Sequence, residues 1–492
     1  MWNIRTKPRR LTSSYFSRYG LFHMNTPMSR DQRGTLAAAG LGFVVVLLDV
    51  SVVNVALDAL RARFATDVTG LQWVVNAYTL AFASLLLTTG ASGDRFGAKR
   101  IFAAGFAVFT LASIGCGIAD SLPLLVAARV VQGIGAALLV PNSLAMLRQA
   151  FPDTQQRSRA VGWWGAAGGI ALAAGPVLGG LLVTHEGWRS IFLINLPIGV
   201  AGVALALRHA AAAVSTHSRS IDLPGQLAAI VALVALTVCL TEAARLGWRH
   251  PLVYGALLLS LVATLAFLWL ESRSTEPMVP LSLFRTATFS VASVAGVIVN
   301  FAYYGLIFVF SLFFQIEQNL SAQWTGLAFL PMTVVLMGVN ILAGRLLNRI
   351  GARKLMIAGM VIAASGYLLL LPVSINGSYW MLVVPMLVAA TGIAIMVPTM
   401  TNVTLSSVDA SRSGVASGIL NSARQVGGML GVAVFGFFVR DTSHDGFMQG
   451  MHLSIMTAAA LLLCGSVICL YGIRTPQPTH IETAPKILAS DS

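Results

Sequence analysis

The stretch Gly90-Ala-Ser-Gly-Asp94-Arg95-Phe-Gly97-Ala-Lys99-Arg100 has a counterpart at Gly344-Arg-Leu-Leu-Asn348-Arg349-Ile-Gly351-Ala-Arg353-Lys354, 254 residues further on. Two other pairs keep nearly the same spacing. Gly135-Ala-Ala-Leu-Leu-Val-Pro141 returns as Gly392-Ile-Ala-Ile-Met-Val-Pro398, and Arg157-Ser158 returns as Arg412-Ser413, at 257 and 255 residues. Three matches at almost one offset mean that a single structural unit occurs twice in the chain, with the same orientation each time.

What lies between these segments is almost wholly apolar. Of 492 residues, 56% are hydrophobic and 10% charged, and the mean hydropathy is +0.79. A soluble domain carries about 25% charged residues, so lipid must cover most of this surface. The apolar matter comes in blocks of the roughly 20 residues that a helix needs to cross a bilayer. The shorter alternating segments of a β-barrel are not seen. Fourteen blocks can be marked between residues 36 and 472, six in each repeat and two between them. The expected fold is an all-α membrane protein with 6+2+6 transmembrane helices in two pseudo-symmetric bundles. Residues 34–210 form the first bundle, 211–284 an inserted helix pair with linkers, 285–473 the second bundle and 474–492 a tail.

The net charge of +14 does not point to nucleic acid, because Lys and Arg lie in short segments between apolar blocks. With the N-terminus inside, 24 of the 32 fall on inner segments and six on outer loops. That imbalance places both termini in the cytoplasm, at the cell inner membrane. Residues 1–33 hold Arg5, Lys7, Arg9, Arg10, Arg18, Arg30 and Arg33 against a single acid, Asp31. They read as a basic tail or as sequence ahead of a start at Met24 or Met28, in preference to a transit peptide. The four cysteines sit in apolar blocks and read as small core residues.

Five local patterns resemble the major facilitator superfamily and, within it, the fourteen-helix drug:proton antiporters. Leu48-Asp49-Val-Ser-Val-Val-Asn54-Val-Ala-Leu57 is similar to the first-helix motif of that branch, with Asp58 where Pro is usual. Gly90 to Arg100 is similar to the superfamily's loop between helices two and three. Arg129-Val-Val-Gln132-Gly133-Ile-Gly135 resembles the helix-four motif. Ala174-Gly175-Pro176-Val-Leu-Gly179-Gly180 resembles the antiporter motif of helix five, with Ala171 where many members have Gly. Trp188-Arg189-Ser-Ile-Phe192-Leu-Ile-Asn195-Leu-Pro197 resembles the opening of helix six. The resemblance covers nearly the whole chain. It implies a proton-coupled exporter of amphipathic small molecules such as drugs or antibiotics, working by alternating access, as a monomer in membrane lipid.

The residues themselves bear on that expectation. Asp49 lies in mid-span, where a carboxylate costs at least about 2.5–3.5 kcal/mol. It is therefore suited to gaining and losing a proton as its surroundings change. Arg129 keeps its charge and either holds Asp49 ionised in one state or anchors neighbouring carbonyls; the two readings stand level. Gln132 shares its face. The resemblance makes Gly90, Asp94, Arg95, Gly97, Lys99 and Arg100 a conformational latch in the outward-facing state, although Lys99 and Arg100 also set topology. It ties Gly175, Pro176, Gly179 and Gly180 to export; ordinary small-residue packing is the alternative. Candidate cavity liners are Asn76, Tyr78, Gln132, Trp164, Asn300, Tyr303, Tyr304, Asn340, Asn402, Arg424 and Gln425, while Trp73 reads as an interfacial anchor. Arg424 has no obvious partner.

Other classes find no support. No phosphate loop for ATP, no paired carboxylates for acid–base chemistry and no metal-ligand spacing are visible, so neither an enzyme nor a cofactor is expected. An importer or facilitator of the same fold is the nearest alternative, and a non-transporting membrane sensor a remote one.

Overall fold

In the computed structural model the described residues are 28–211, 222–373, 377–409, 412–441 and 443–473, without the Asn348 side chain. Most of the basic N-terminal segment and the tail beyond 473 lie outside them. Among the described residues there are helices and no strands.

The first repeat runs through α1 (Arg30–Val55), a short α2 (Leu57–Phe64), α3 (Val68–Phe96), α4 (Ala98–Ile118), α5 (Leu122–Ala150) and α6 (Thr154–Glu186). Its last span is broken into α7 (Ser190–Leu193) and α8 (Asn195–His209). The hairpin α9 (Leu223–Leu246) and α10 (Pro251–Arg273) follows. The second repeat comprises α11 (Ala287–Leu312), prolonged by a π-turn at Phe313–Glu317, then α12 (Ala322–Ile350), α13 (Ala352–Leu368), α14 (Tyr379–Ser406), α15 (Ser413–Phe438) and α16 (His444–Gly472).

Local chemistry sets many of these ends. Ser29 and Gln32 form a reciprocal capping box at α1, and Asp67, Asp153 and Ser321 cap α3, α6 and α12 through their side chains. Such caps satisfy backbone donors that the first helical turn leaves free. The repeated loop shows why its glycine recurs. Gly97 ends α3 at φ +94° and Gly351 ends α12 at φ +85°, a conformation that a Cβ disfavours.

The duplication seen in the sequence reappears in the packing. Within the first repeat α1 packs on α6 and α8, α5 on α3 and α4, and α4 on α8; within the second, α11 packs on α15 and α16, α14 on α12 and α13, and α13 on α16. Each contact has its counterpart. The same holds across the divide, where α6 meets α12 and α15 meets α3. Small residues permit these approaches. A Cβ at Gly135 would stand 2.6 Å from the Phe109 backbone nitrogen, and one at its repeat partner Gly392 only 2.3 Å from that of Ala363.

The hairpin lies outside this core. Only 17% of the α10 span is buried, against 83% of the α11 span. Leu258, Leu261 and Leu265 of α10 are more than half exposed, as a lipid-facing surface requires. The inner helix α9 contacts α3 and α15, and so touches both repeats. Trp73 donates to Glu242 Oε1 at 2.9 Å, which pins α9 to α3 at one end. At the other, Gln226 Nε2 donates to Ser84 O at 2.7 Å.

Two expectations are met only in part. Twelve described helices, rather than fourteen, are long and apolar enough to cross a membrane by length and composition. The exceptions are α13, which ends after 17 residues, and α15, whose apolar run is interrupted by Asn421, Arg424 and Gln425. Among the cysteines, Cys116, Cys239 and Cys469 are buried, whereas Cys464 is exposed on the apolar surface of α16.

Candidate transport site

Asp49, on α1, is fully buried, and Arg129, on α5, is 1% exposed. The glycines of α5 bring the neighbouring helices to them. A Cβ at Gly133 would lie 2.4 Å from the Tyr78 carbonyl oxygen, so α3 can approach until Arg129 Nε donates to Val74 O at 3.1 Å. Arg129 Nη1 forms an ion pair with Asp49 Oδ2 and donates to Gln132 Oε1 at 2.7 Å. Its guanidinium lies 4.3 Å from the Tyr78 ring centroid.

The other carboxylate oxygen is equally engaged. Gln132 Nε2 donates to Asp49 Oδ1 at 2.7 Å and to Ser113 Oγ at 2.9 Å. Asn195 Nδ2 reaches Asp49 Oδ1 at 3.4 Å and Ser113 Oγ at 3.2 Å. The break between α7 and α8 places Asn195 at a helix start, facing inward. Five helices therefore converge on one carboxylate. Sealing an ion pair from water is costly unless its remaining hydrogen-bonding capacity is satisfied, and here neutral amides and hydroxyls provide that satisfaction. Ser113 and Asn195 were not singled out from sequence. Asn195 sits in the quoted motif opening the sixth span, but Ser113 resembles any small residue of an apolar helix.

Two cavities lie between the repeats. The larger, of about 590 Å³, is lined by Leu87, Gly90, Asp94, Pro141, Arg148, Arg157, Asp222 and Asn421, among others. These residues belong to the ends of α3, α5, α6, α9 and α15 that share a side with the start of α1, here the near side. Its size suits a drug-sized molecule. The smaller, of about 20 Å³, is central and lined by Ser51, Asn54, Pro176, Tyr303, Tyr304 and Phe329, among others. It holds little more than one water. Asp49 borders neither cavity.

The far side is closed by contacts between the repeats. A Cβ at Gly180 of α6 would lie 2.4 Å from Ala322 O, and one at Gly326 of α12 only 2.1 Å from Pro176 O. Gln315 Nε2 donates to Asn54 O at 3.2 Å, and the Asp58 amide donates back to Gln315 Oε1 at 3.1 Å. Gln72 Nε2 donates to Val432 O and Ala433 O at 2.9 and 2.8 Å. The helix-five glycines divide their work: Gly175 and Gly179 face Ser51 and Val52 of α1, and Gly180 faces α12.

The loop residues read as a latch sit at the open side. Gly90 and Asp94 line the large cavity. Asp94 is exposed and has no ion-pair partner among the described residues. Arg95 lies 5.3 Å from the Phe96 ring, Lys99 Nζ donates to Leu207 O at 2.9 Å, and Arg100 is exposed.

The candidate liners scatter. Tyr303 and Tyr304 line the small cavity. Tyr78 and Gln132 belong to the Asp49 network. Trp164 is a packing residue, stacked on Phe43 at 3.8 Å and donating to Ser143 Oγ at 3.0 Å. Asn300 Nδ2 donates to Gly296 O at 2.8 Å in its own helix. Asn76 is fully buried with both amide atoms unpartnered. Asn340 and Gln425 are half-buried, Asn402 is exposed, and none of the three borders either cavity. Arg424 is half-buried and its Nε has no acceptor.

Residues 39–432 match the Major Facilitator Superfamily model. The chain is 36% identical to the methylenomycin A resistance protein of Streptomyces coelicolor over 91% of its own length and 94% of that protein. It is 38% identical to the multidrug resistance protein Stp of Mycobacterium tuberculosis over 83% of its own length and 76% of that protein. Among solved structures, the partially occluded inward-open xylose transporter XylE from E. coli superposes with a TM-score of 0.62 at 14% identity, covering 89% of this chain and 97% of that one. With the paired bundles and the cavity between them, these likenesses identify a multi-pass membrane protein that belongs to the major facilitator superfamily.

Proposed function

We propose that the chain exports amphipathic small molecules in exchange for protons by alternating access, with Asp49 carrying the proton. The observation behind this reading is the sealed Asp49–Arg129 pair, held in the same bundle whose near-side ends line the large cavity. A carboxylate with five helices around it responds to small relative movements of those helices. In the arrangement seen it is paired with Arg129 and borders neither cavity. When the repeats rock to open the far side, a change in the spacing of α1 and α5 weakens the pair and lets a proton in. Resistance proteins among the relatives, named for methylenomycin A and for multiple drugs, support outward transport.

The same reading extends to topology. α13 and α15 pack among the spanning helices on every side where the first repeat has its counterparts, which supports fourteen spans grouped 6+2+6, with both termini on one side. The excess of Lys and Arg on near-side segments supports a cytoplasmic near side at the cell membrane. The chain works as a monomer, since both halves of the site lie within it. Asp94, unpaired at the open cavity, takes up its latch contact when that side closes, as part of the segment Gly90 to Arg100. Pro176 and Gly180 form the surface on which the far side shuts, and Gly175 and Gly179 seat α6 on α1 behind it.

Everted membrane vesicles with an acidified lumen test the exchange. Adding the neutral amphipath N-phenyl-1-naphthylamine is expected to make the lumen more alkaline as the dye accumulates. Dye uptake without proton movement would indicate a facilitator instead. The electrical part of the driving force is about 2.3 kcal/mol per charge for each 100 mV.

A further inference from the structure

Arg424 is a feature of the inter-repeat space that the proton-carrying role of Asp49 leaves unused. It lies on α15, one turn deeper than Asn421, which lines the large cavity, and on the same face of the helix. Its stem runs past α11, where a Cβ at Gly296 would sit 3.3 Å from Arg424 Cγ. Tyr304 lies within electrostatic range and lines the small central cavity. Arg424 thus stands between the two cavities. Its Nε is buried with no acceptor, and no described carboxylate pairs with it. The Tyr304 hydroxyl has no hydrogen-bond partner among the described residues either.

A guanidinium at this depth is expensive unless an acid, carbonyls or a polar cavity accommodates it. Asp49, the buried acid of the first repeat, does not do so: both its oxygens are already taken. The vestibule nearer the surface is mixed in charge, with Arg148 and Arg157 beside Asp94, Asp222 and Glu276. Deeper in, the planar fork of Arg424 and the Tyr304 hydroxyl both offer hydrogen-bond donors. Such a fork matches a two-oxygen acceptor.

We propose that Arg424, with Tyr304 beside it, binds an anionic oxygen group of the exported molecule, a carboxylate or sulfonate on an otherwise apolar body. This rests on the exporter reading and names the class of cargo. The anion completes the coordination of Arg424 while the apolar body occupies the cavity below. The two bundles then divide the labour, the first holding the proton and the second the charged end of the cargo.

Two dyes sharing one ring system test this. 8-Anilinonaphthalene-1-sulfonate carries a sulfonate that N-phenyl-1-naphthylamine lacks. In energised everted vesicles the wild type is expected to accumulate the sulfonate at the lower half-saturating concentration. Arg424→Gln is expected to raise that concentration about tenfold or more, the effect of losing one charge-assisted hydrogen bond, and to leave the neutral dye unchanged. Arg424→Lys, which keeps the charge without the fork, should fall between. Unchanged handling of the neutral dye shows that the variants fold and transport. Equal loss for both dyes, no effect of Arg424→Gln, or a wild type that moves only the neutral dye overturns the anion site. In that last case dye-driven proton movement persists and export stands; if neither dye moves protons, the exporter reading falls as well.

Discussion

Cells expressing Asp49→Asn will accumulate a transported dye to the level of cells that lack the protein, while the variant reaches the membrane in normal amount. Asparagine has nearly the shape of aspartate, so the helices keep their places, although its single amide oxygen accepts from either Arg129 or Gln132 and not from both. What it cannot do is exchange a proton. The substitution also leaves Arg129, 1% exposed, without its counter-charge. Removing one partner of a buried ion pair costs about 3–5 kcal/mol, so the purified variant should unfold at lower temperature. Adding Arg129→Gln should restore much of that stability, because the buried charge is gone, yet restore no transport. Thermal unfolding and dye efflux measured on the wild type and these two variants separate the two roles. Normal energised efflux by Asp49→Asn would remove Asp49 from the mechanism.

The second large effect concerns closure of the far side. Gly180→Leu will hold the two repeats apart there and reduce efflux to background. A Cβ at that position meets the Ala322 carbonyl oxygen at 2.4 Å and Gln323 Cα at 2.9 Å. Both are backbone atoms at the start of α12 and cannot swing away as a side chain could. Spin labels at Glu186 and Trp324, which are exposed near the facing ends of α6 and α12, should report a longer distance in the variant than in the wild type. Gly169→Leu is the control. It lies on the same helix with nothing within 4 Å of its Cβ position, and should transport normally. An unchanged label distance in Gly180→Leu would show that the far side shuts without this contact.

Several of these features were readable in the chain before any coordinates. The duplication was visible because the turn between α3 and α4 needs Gly97 at positive φ, and its copy needs Gly351 likewise. Asp49 and Arg129 stood out because a charge inside a span is too costly to be incidental. Neutral polar residues gave no such signal. Asn195 joins the buried network, whereas Asn300 satisfies itself on its own helix backbone, and nothing in either residue type distinguishes them. Trp164 could have faced a cavity or a packed helix, and a ring on α1 decided the matter. The hydropathy of α15 falls short because the residues that face the inter-repeat space, Asn421 and Arg424, are the ones that make it less apolar. A helix that borders a cavity is for that reason harder to recognise as a span than one surrounded by lipid.

The most direct measurement is the number of protons leaving the purified protein when cargo binds. Detergent-solubilised protein in weakly buffered solution with a pH indicator is titrated with whichever dye the vesicles accumulate, against empty micelles. If Asp49 carries the proton, the wild type releases up to about one proton per chain, by linkage between the two sites. Asp49→Asn then binds the dye and releases none. Equal release from both proteins, or dye binding to the wild type with no release at any pH, would contradict it.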